Sequence, residues 1–312
     1  MKNLYKNPKK AFSLVEISIV ILIIGLLIAG ISKAGDMIFD VGLKSASSIT
    51  KGAKVVRMAN LSLWLETSSS ESILEKERFD GTVVSIWRDI NPQSSSKFIF
   101  KKTGSPIYVE KGQNNLPAIG ALSSANNYTP YTTETSSTVT TFSSSQIFSS
   151  GAYTTIFVVL KPKAISGVVT NLVSFCPTAA CAAGNEISVG MDATAKIVFS
   201  AMSASAVTAT HTSSNAYASK NLIIVSALKD TANQKIYVNG GDLSSLATAN
   251  TYASSNAFTG TFKIGGASAT ATNDGVEVYE VILFSSALSA VDRQTVETYL
   301  GKKYNISMAK TS

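Results

Sequence analysis

The chain has 312 residues and a formal net charge of +7, with 45% apolar and 15% charged residues. This composition supports a folded core and excludes a globally disordered chain. The first eleven residues hold four lysines and no acid, so the remainder carries only 7 − 4 = +3. A charge that small argues against nucleic acid as a partner. The length suits two domains, or one large all-β domain with an attachment segment.

The first predicted element is an apolar helix. Residues Phe12 to Ile31 read FSLVEISIVILIIGLLIAGI and contain a single charge, Glu16. A helix of twenty residues spans about 30 Å, which matches the hydrocarbon thickness of a bilayer. An apolar stripe then continues at helical spacing, which predicts that the helix extends to residue 60 and packs on a head domain. The stripe consists of Ala34, Met37, Ile38, Val41, Ile49, Ala53 and Val56.

Three interpretations of this segment compete. A cleaved signal peptide could use Ser32-Lys33-Ala34 as its processing site, but its apolar core is typically about 7–15 residues long. A plain membrane anchor fits the length but leaves Glu16 unexplained, because a charge inside a membrane span is costly and usually has a partner. A third interpretation accounts for both the length and the carboxylate, and it rests on the residues at the start of the run.

The octapeptide Lys-Lys-Ala-Phe-Ser-Leu-Val-Glu, from Lys9 to Glu16, carries the third interpretation. It resembles the processing site of type IV prepilins and pseudopilins. The resemblance implies that a prepilin peptidase cuts between Ala11 and Phe12, that Phe12 becomes N-methylated, and that Glu16 is the fifth residue of the mature chain. The chain departs from the family pattern at Ala11, where the family usually has glycine, and this puts efficient processing in question.

The resemblance assigns Glu16 a role in assembly. Processing would create a positive amine at Phe12, and the Glu16 carboxylate could pair with that amine on a neighbouring subunit. Such a pair is strong when it is desolvated and costly when it is half-made, so it could set the axial stagger between subunits. The basic residues before the helix predict a cytoplasmic N-terminus in the inner membrane, with the head in the periplasm before export into a surface filament.

From Leu61 onward short apolar runs alternate with polar turns, which predicts an all-β two-sheet sandwich with one late helix after the N-cap residue Ser289. His211 is predicted on a surface loop, and Trp64 and Trp87 are predicted in the core. The predicted strands are Val83–Trp87, Lys97–Phe100, Ile107–Val109, Thr155–Leu160, Val168–Phe175, Glu186–Val189, Lys196–Phe199, Leu222–Ala227, Lys235–Val238, Thr261–Ile264 and Val276–Phe284.

A series of short motifs follows a recognisable order in the head. They are Leu61-Ser-Leu-Trp-Leu-Glu66, Gly81-Thr-Val-Val-Ser-Ile-Trp-Arg-Asp89, Asn115-Leu-Pro-Ala118, Lys235-Ile-Tyr-Val-Asn-Gly240, Glu280-Val-Ile-Leu-Phe284 and the terminal Tyr299-Leu-Gly-Lys-Lys-Tyr304. This order resembles the concanavalin A-like lectin/glucanase sandwich in its laminin-G-like form. The resemblance implies a jelly roll of about twelve strands, and many members of that family bind carbohydrate, some of them with calcium.

The two cysteines, Cys176 and Cys181, are spaced C-x4-C. A zinc site would need two further ligands, and the chain has one histidine. In an oxidising compartment a local disulfide is expected, which would contribute about 2 kcal/mol in the chain-entropy model. Two free thiols are the alternative.

Catalysis is not expected. Hydrolysis of a glycoside needs two carboxylates about 5–9 Å apart, whereas Asp274 and Glu280 would lie about 20 Å apart along one strand, and Glu277 would face the other side. Glu280 is instead predicted to be structural, near the sheet edge or the helix. No cofactor is expected, and calcium is conceivable only through Asp242, Asn273 and Asp274, whose spacing matches no calcium loop. Tyr128, Tyr131 and Tyr153 are candidate glycan contacts, because they lie near a Ser/Thr-rich stretch, Ser123 to Thr155, that could form binding loops at one rim of the sandwich or a solvated, variable loop.

The sequence therefore predicts a non-enzymatic, pilin-like structural subunit, minor or near the tip of a type IV pilus-like filament, with a lectin-like head for adhesion. The expected partners are other pilin-like subunits, the prepilin peptidase and a surface glycan. A pseudopilin of a type II secretion system and a membrane-tethered glycan-active enzyme are the alternatives. The predicted boundaries are a leader (1–11), an assembly helix (12–60), a sandwich head (61–306) and a tail (307–312).

Overall fold

The computed structural model describes residues 13–95, 97–123, 125–140, 142–143, 153–162, 170–176, 187–192, 194–201, 209–217, 221–230, 233–247, 259–265 and 276–309. The chain divides into two compact units, Met1–Gly42 and Leu43–Ser312. This division lies earlier than the predicted boundary after residue 60. Ala46 and Val55 explain the difference, because both are buried in a core cluster of the second unit.

The first helix, α1, runs from Leu14 to Lys51. It is long and apolar enough to cross a membrane, by length and composition. It ends before residue 60 because Gly52 follows its last residue, and glycine is a poor helix former. A short 3-10 helix, Lys54–Arg57, leads into the first strand.

The second unit contains two antiparallel sheets, which confirms the predicted sandwich. Sheet 1 has the order β15 (Gly241–Ala247), β14 (Asn233–Val238), β13 (Ile223–Lys229), β8 (Thr154–Lys161), β17 (Val276–Phe284), β5 (Ala118–Leu122) and β4 (Ile107–Val109), and β1 (Leu61–Glu66) also pairs with β17. Strands β8, β13 and β17 are buried on both faces, so their sequences read as nearly continuous apolar runs.

Sheet 2 has the order β12 (Ala209–Ala216), β11 (Lys196–Ala201), β10 (Ile187–Met191), β9 (Thr170–Cys176), β16 (Thr259–Ile264), β6 (Asn127–Tyr131), β3 (Ile99–Thr103) and β2 (Ile86–Arg88), with β7 (Phe142–Ser143) against β16. The prediction of a surface loop at His211 is wrong, because His211 lies within β12, opposite Phe199. The first predicted strand is shorter than expected, since Val83 makes only an isolated bridge to Ile107.

Two apolar clusters hold the second unit together. The first lies between the sheets and includes Trp87, Phe100 and Phe175. The second covers the other face of sheet 1 with the end of α1 and a C-terminal helix, α2 (Ala290–Tyr304), and includes Trp64 and Leu300. The structure thus confirms that both tryptophans belong to the core.

Turns and termini follow local chemistry. Ser289 is the N-cap of α2, and its side chain accepts a hydrogen bond from the Asp292 N–H, as predicted. Strands β14 and β15 are joined by Asn239 and Gly240, both at positive φ, the conformation that an Asn-Gly hairpin turn requires. Part of the predicted tail is anchored, because the Ala309 N–H donates to the Asn239 carbonyl at 2.7 Å.

Candidate functional site

The first candidate site is the start of α1. Every large apolar side chain from Leu14 to Ile31 is between 49% and 82% exposed. Apolar surface on this scale is rare on a soluble monomer and marks a membrane or protein interface. The surface surrounds the whole helix, so it can be covered by lipid or by neighbouring helices on every side.

Glu16 is the only charge in this apolar run, and its carboxylate caps its own helix. The Ser13 N–H donates to Glu16 Oε2 at 2.8 Å, and the Val15 N–H donates to Ser13 Oγ at 3.3 Å. The pattern Ser-x-x-Glu is a capping box, which satisfies N–H groups that the first turn of a helix leaves free. The negative charge also lies at the positive end of the helix dipole, so the site can hold an ionised carboxylate.

The second candidate site is a buried charged group in the head, which we call the Lys303 cluster. Its members are Glu66, Glu280, Lys303, Trp64, Tyr299 and Tyr304. Glu66 and Glu280 lie directly opposite each other on β1 and β17. Two like charges in that position repel each other, so the pair needs a neutralising cation.

A β-bulge places Glu280 in this group. The register between β17 and β8 shifts between Val278 and Glu280. Val278 and Val281 therefore face the core between the sheets, while Tyr279 and Glu280 both face α2. The prediction of a structural Glu280 near the helix agrees with this position, but the alternative position at a sheet edge is wrong, since β17 lies between β8 and the strands β1 and β5.

Lys303 supplies the cation from the last turn of α2. Its Nζ lies 2.7 Å from Glu280 Oε2 and 2.9 Å from Glu66 Oε2, and all three side chains are 0% exposed. Ser68 adds two further hydrogen bonds to Glu66, from its N–H at 2.8 Å and from its hydroxyl at 2.5 Å. Burial alone would lower the pKa of Lys303, but the charges of Glu280 and Glu66 outweigh it and raise the pKa above its usual 10.5.

Aromatic donors complete the shell around Glu280. Its Oε1 accepts hydrogen bonds from Trp64 Nε1 and from the Tyr299 hydroxyl, both at 2.7 Å, and its Oε2 accepts one from the Tyr304 hydroxyl at 2.8 Å. Burial, followed by the charge of Glu280, raises the pKa of both tyrosines well above 10, so both hydroxyls stay protonated. The Tyr299 hydroxyl also lies 3.2 Å from Thr50 Oγ1 in the last turn of α1.

The Lys303 cluster is a structural device rather than a hydrolytic pair. Its two carboxylates share one ammonium group and have no exposed surface, so neither a sugar nor a nucleophilic water reaches them. Both oxygens of Glu280 already accept two hydrogen bonds each. The cluster instead joins β1, β17, α2 and the end of α1. The sequence analysis did not identify Glu66 or Lys303. Lys303 could have been recognised as buried, because it lies on the same face of α2 as the apolar residues Val296 and Leu300.

A second buried ion pair fixes the other end of α2. Arg293 NH1 lies 2.5 Å from Glu297 Oε2, and Glu297 Oε1 accepts a hydrogen bond from Ser226 Oγ at 2.8 Å. The Arg293 guanidinium stacks 3.6 Å from the centroid of the Tyr237 ring. Helix α2 is therefore attached to sheet 1 by charged side chains at both of its ends.

The three tyrosines that were predicted to contact a glycan have different positions. The prediction is wrong for Tyr128, which is 0% exposed and whose hydroxyl donates to the Val84 carbonyl at 2.9 Å. Tyr131 is partly exposed at the end of β6, with Lys101 Nζ 4.6 Å from its ring centroid. Tyr153 is partly exposed immediately before β8. Tyr131 thus ends a strand of sheet 2, whereas Tyr153 lies next to a strand of sheet 1.

Several predicted residues lie outside the described part of the chain. These are Ala11 and Phe12 at the processing site, Cys181 of the disulfide, and Asn273 and Asp274 of the calcium hypothesis. Cys176 ends β9 and Asp242 lies in β15. Among the described residues there is no group of three or more His, Cys, Asp or Glu side chains able to hold a metal ion. The cleavage, disulfide and calcium hypotheses therefore stay predictions.

Comparison with known families supports the first candidate site. Residues 6–32 match the model of the prokaryotic N-terminal methylation motif. This match covers residues 6–11 of the predicted leader, the capping box and the apolar half of α1. The chain therefore carries a type IV pilin-like N-terminal segment, joined to an apolar helix that is able to cross a membrane.

The head is similar in fold to several solved structures. The binding domain of Paraclostridial Mosquitocidal Protein 1 matches with a TM-score of 0.53 at 13% identity, over 78% of this chain and 52% of that chain. The botulinum neurotoxin serotype G binding domain gives 0.51 at 13%, over 78% and 51%. Trypanosoma rangeli sialidase gives 0.54 at 13%, over 81% and 34%. The chain thus spans about half or a third of these structures, and identities this low establish the β-sandwich fold alone.

No curated sequence matches the chain.

Proposed function

We propose that this protein is a structural subunit of a type IV pilus-like filament, processed before Phe12, held in the inner membrane by α1 and then assembled into the filament. The observation that carries the proposal is the methylation motif at residues 6–32, followed by an apolar helix whose large side chains are exposed on all sides. A helix with this surface needs lipid before assembly and neighbouring helices afterwards.

The capping box supports a specific role for Glu16 in that sequence of events. In the single subunit the carboxylate accepts the Ser13 N–H, so a charge in an apolar segment already has a local partner. In the filament the methylated amine of a neighbour would supply a full positive charge in its place. A charged donor gives a stronger hydrogen bond than a neutral amide, so this exchange would favour assembly.

We propose that the head serves as a carbohydrate-binding adhesin on a minor or tip-proximal subunit. Support comes from the β sandwich and from its likeness to two toxin structures described as binding domains. A non-enzymatic role is favoured because the closely paired carboxylates, Glu66 and Glu280, are sealed and bound to Lys303. The partly exposed Tyr131 and Tyr153 are the remaining aromatic candidates for stacking on a sugar.

A Glu16→Gln variant tests the assembly role. The amide retains the shape of the side chain but loses the charge, so we expect normal membrane insertion and loss of the protein from the sheared filament fraction. Glu75→Gln, which changes an exposed acid of the head, is the matched control and should assemble like the unaltered chain. Unchanged recovery of Glu16→Gln filaments would contradict the pairing role. Recovery of unaltered chain only in the envelope would favour a pseudopilin of a secretion system.

A glycan array tests the head. The fragment from Leu43 to Ser312 corresponds to the second compact unit and is the appropriate probe. We expect binding to a defined set of glycans, with sialylated sugars included because one similar structure holds sialic acid. Tyr131→Ala should weaken binding, whereas Tyr128→Phe should not. Absence of binding to every glycan would count against the lectin role and leave the filament role untouched.

A further inference from the structure

The apolar stripe of α1 is only half covered. Ile49, Ala53 and Val56 pack against the outer core of the head, as predicted. Met37, Ile38 and Val41, in the first half of the stripe, belong to the other compact unit and are 67%, 63% and 65% exposed. These residues follow the twenty-residue run that matches a bilayer, so lipid hydrocarbon does not account for them.

A cleft of about 700 Å³ opens between the end of α1 and the outward face of α2. Its lining combines Ile49, Ala53 and the 72% exposed Val291 with the small residue Gly52. Small residues of this kind allow another backbone to approach closely. The lining also includes Ser48, Gln294, Thr295 and Thr298, so the cleft offers both apolar contacts and hydrogen-bonding groups to a second chain.

The charges at the cleft complement those of the exposed half-stripe. Lys54 and Lys302 line the cleft and are exposed. Asp40, also exposed, lies one helical turn from Met37 and therefore borders the exposed stripe. A helix that laid Met37, Ile38 and Val41 against the apolar lining would carry this carboxylate towards the two ammonium groups.

We propose that the cleft is an assembly surface that receives residues 34–41 of α1 from a second copy of this chain. The interaction combines apolar contacts to Ile49 and Val291 with an ion pair from Asp40 to Lys302 or Lys54. It rests on the proposed function, because only an assembled filament brings parallel copies of α1 together. It adds α2 of the head to the assembly contacts, which the methylation motif alone does not do.

Disulfide trapping in intact cells tests this contact. One copy carries Ile38→Cys and one affinity tag, and a second copy carries Thr298→Cys, in the cleft, and a different tag. Mild oxidation should give a reducible product that contains both tags. Ile38→Cys with Glu75→Cys, at an exposed site away from the cleft, should give none, and each variant alone reports any background from the natural cysteines. A product with one tag only, or none in cells that form filaments, would overturn the proposal.

A charge exchange gives an independent measurement. Lys302→Asp should reduce the sheared filament fraction, and the double variant with Asp40→Lys should restore it. The Leu43–Ser312 fragment with Lys302→Asp should still unfold in one cooperative transition, with only a small loss from an acid in the last turn of α2, which separates an assembly defect from misfolding. Assembly without any loss in Lys302→Asp would refute the ion pair while the filament role stands. Failure of the unaltered chain to enter any filament would instead refute the proposed function.

Discussion

Helices α1 and α2 reverse the usual burial of side chains in opposite ways. The first half of α1 exposes its isoleucines and leucines to the surroundings, whereas α2 buries Arg293, Glu297 and Lys303. The local sequence of α1 is that of a surface meant for lipid or other helices. The sequence of α2, with its charged residues, looks like an exposed helix until its partners on sheet 1 are known.

The difference shows which helix can change its contacts and which has one defined position. Apolar contacts are non-directional, so α1 can change from lipid to neighbouring helices without losing favourable contacts. Buried charges need defined partners, and breaking one member of such a pair is costly. The charges on α2 therefore fix one position on sheet 1, and through Tyr299 and Thr50 they also fix the end of α1.

The largest expected effect comes from Lys303→Met. Removing the ammonium group leaves Glu66 and Glu280 buried and opposed, so the head should lose about 3–5 kcal/mol of unfolding free energy. Lys302→Met, at the adjacent exposed position, should change it by less than about 0.5 kcal/mol. Urea unfolding of the Leu43–Ser312 fragment measures both. Similar small changes in the two variants would contradict a stabilising role for the cluster.

Asp89 is a buried carboxyl group without a cation at hydrogen-bond distance, in contrast to Glu66 and Glu280, which are paired with Lys303. The pH dependence of unfolding measures this difference. Asp89 Oδ1 accepts hydrogen bonds from the N–H groups of Trp64 and Asn91, and its Oδ2 has no hydrogen-bond partner among the described residues. Burial raises the pKa of Asp89 from 3.8 to about 6. Between pH 4 and 6 the folded state holds a proton that the unfolded state has lost. Stability should therefore fall as pH rises through this window, by about 1–3 kcal/mol.

Asp89→Asn removes this dependence. The amide oxygen can still accept both backbone hydrogen bonds, so the fragment should unfold with a smaller pH slope than the unaltered head. Burial also raises the pKa of Glu297, which contributes a slope of the same sign in both proteins. The difference between the two urea series is the relevant quantity, and parallel series would contradict the assignment to Asp89.

The N-cap residues of α2 and α1 should contribute unequally to the thermal stability of the head. Ser289→Ala removes the acceptor for the Asp292 N–H and should cost the head about 1 kcal/mol. Ser13→Ala changes the corresponding cap of α1 and should leave thermal unfolding of the head unaltered, since the cap lies in the other compact unit. Differential scanning calorimetry of the full chain in detergent compares them. Equal losses would contradict the independence of the two units.

The smallest expected effect on stability comes from Ile23→Ser. This side chain is 50% exposed, so its loss should change unfolding of the head by less than about 0.5 kcal/mol. Membrane retention should fall, because a polar group replaces an apolar one in the spanning segment. A stability loss as large as that of a core substitution would contradict this expectation.

Apolar patterning predicted much of the fold. The bounds of β4 and β17 match the predicted runs, Ile107–Val109 and Val276–Phe284, because polar residues flank both runs in the sequence. Strands β12 and β15 were missed because Thr-, Ser- and Ala-rich sequences such as Ala209–Ala216 lack apolar alternation. Pattern alone does not reveal the bulge beside Glu280, which exchanges the faces of β17.

The two candidate sites also differ in how far local sequence reveals them. Glu16 was predictable because a lone acid in an apolar run stands out locally. The Lys303 cluster was not, because Glu66 and Lys303 are separated by 237 residues. Tyr128 was misassigned because a tyrosine in a polar sequence looks exposed, whereas the fold places its ring in the core between the sheets. Local chemistry is visible in a sequence, while long-range pairing requires the fold.

The mature N-terminus provides the most direct test of the central claim. Intact-mass and N-terminal peptide analysis of the protein from purified filaments or membranes should find N-methylated phenylalanine at Phe12, with residues 1–11 removed. Retention of Met1, or a first residue downstream of Ala34, would contradict the prepilin-like assignment.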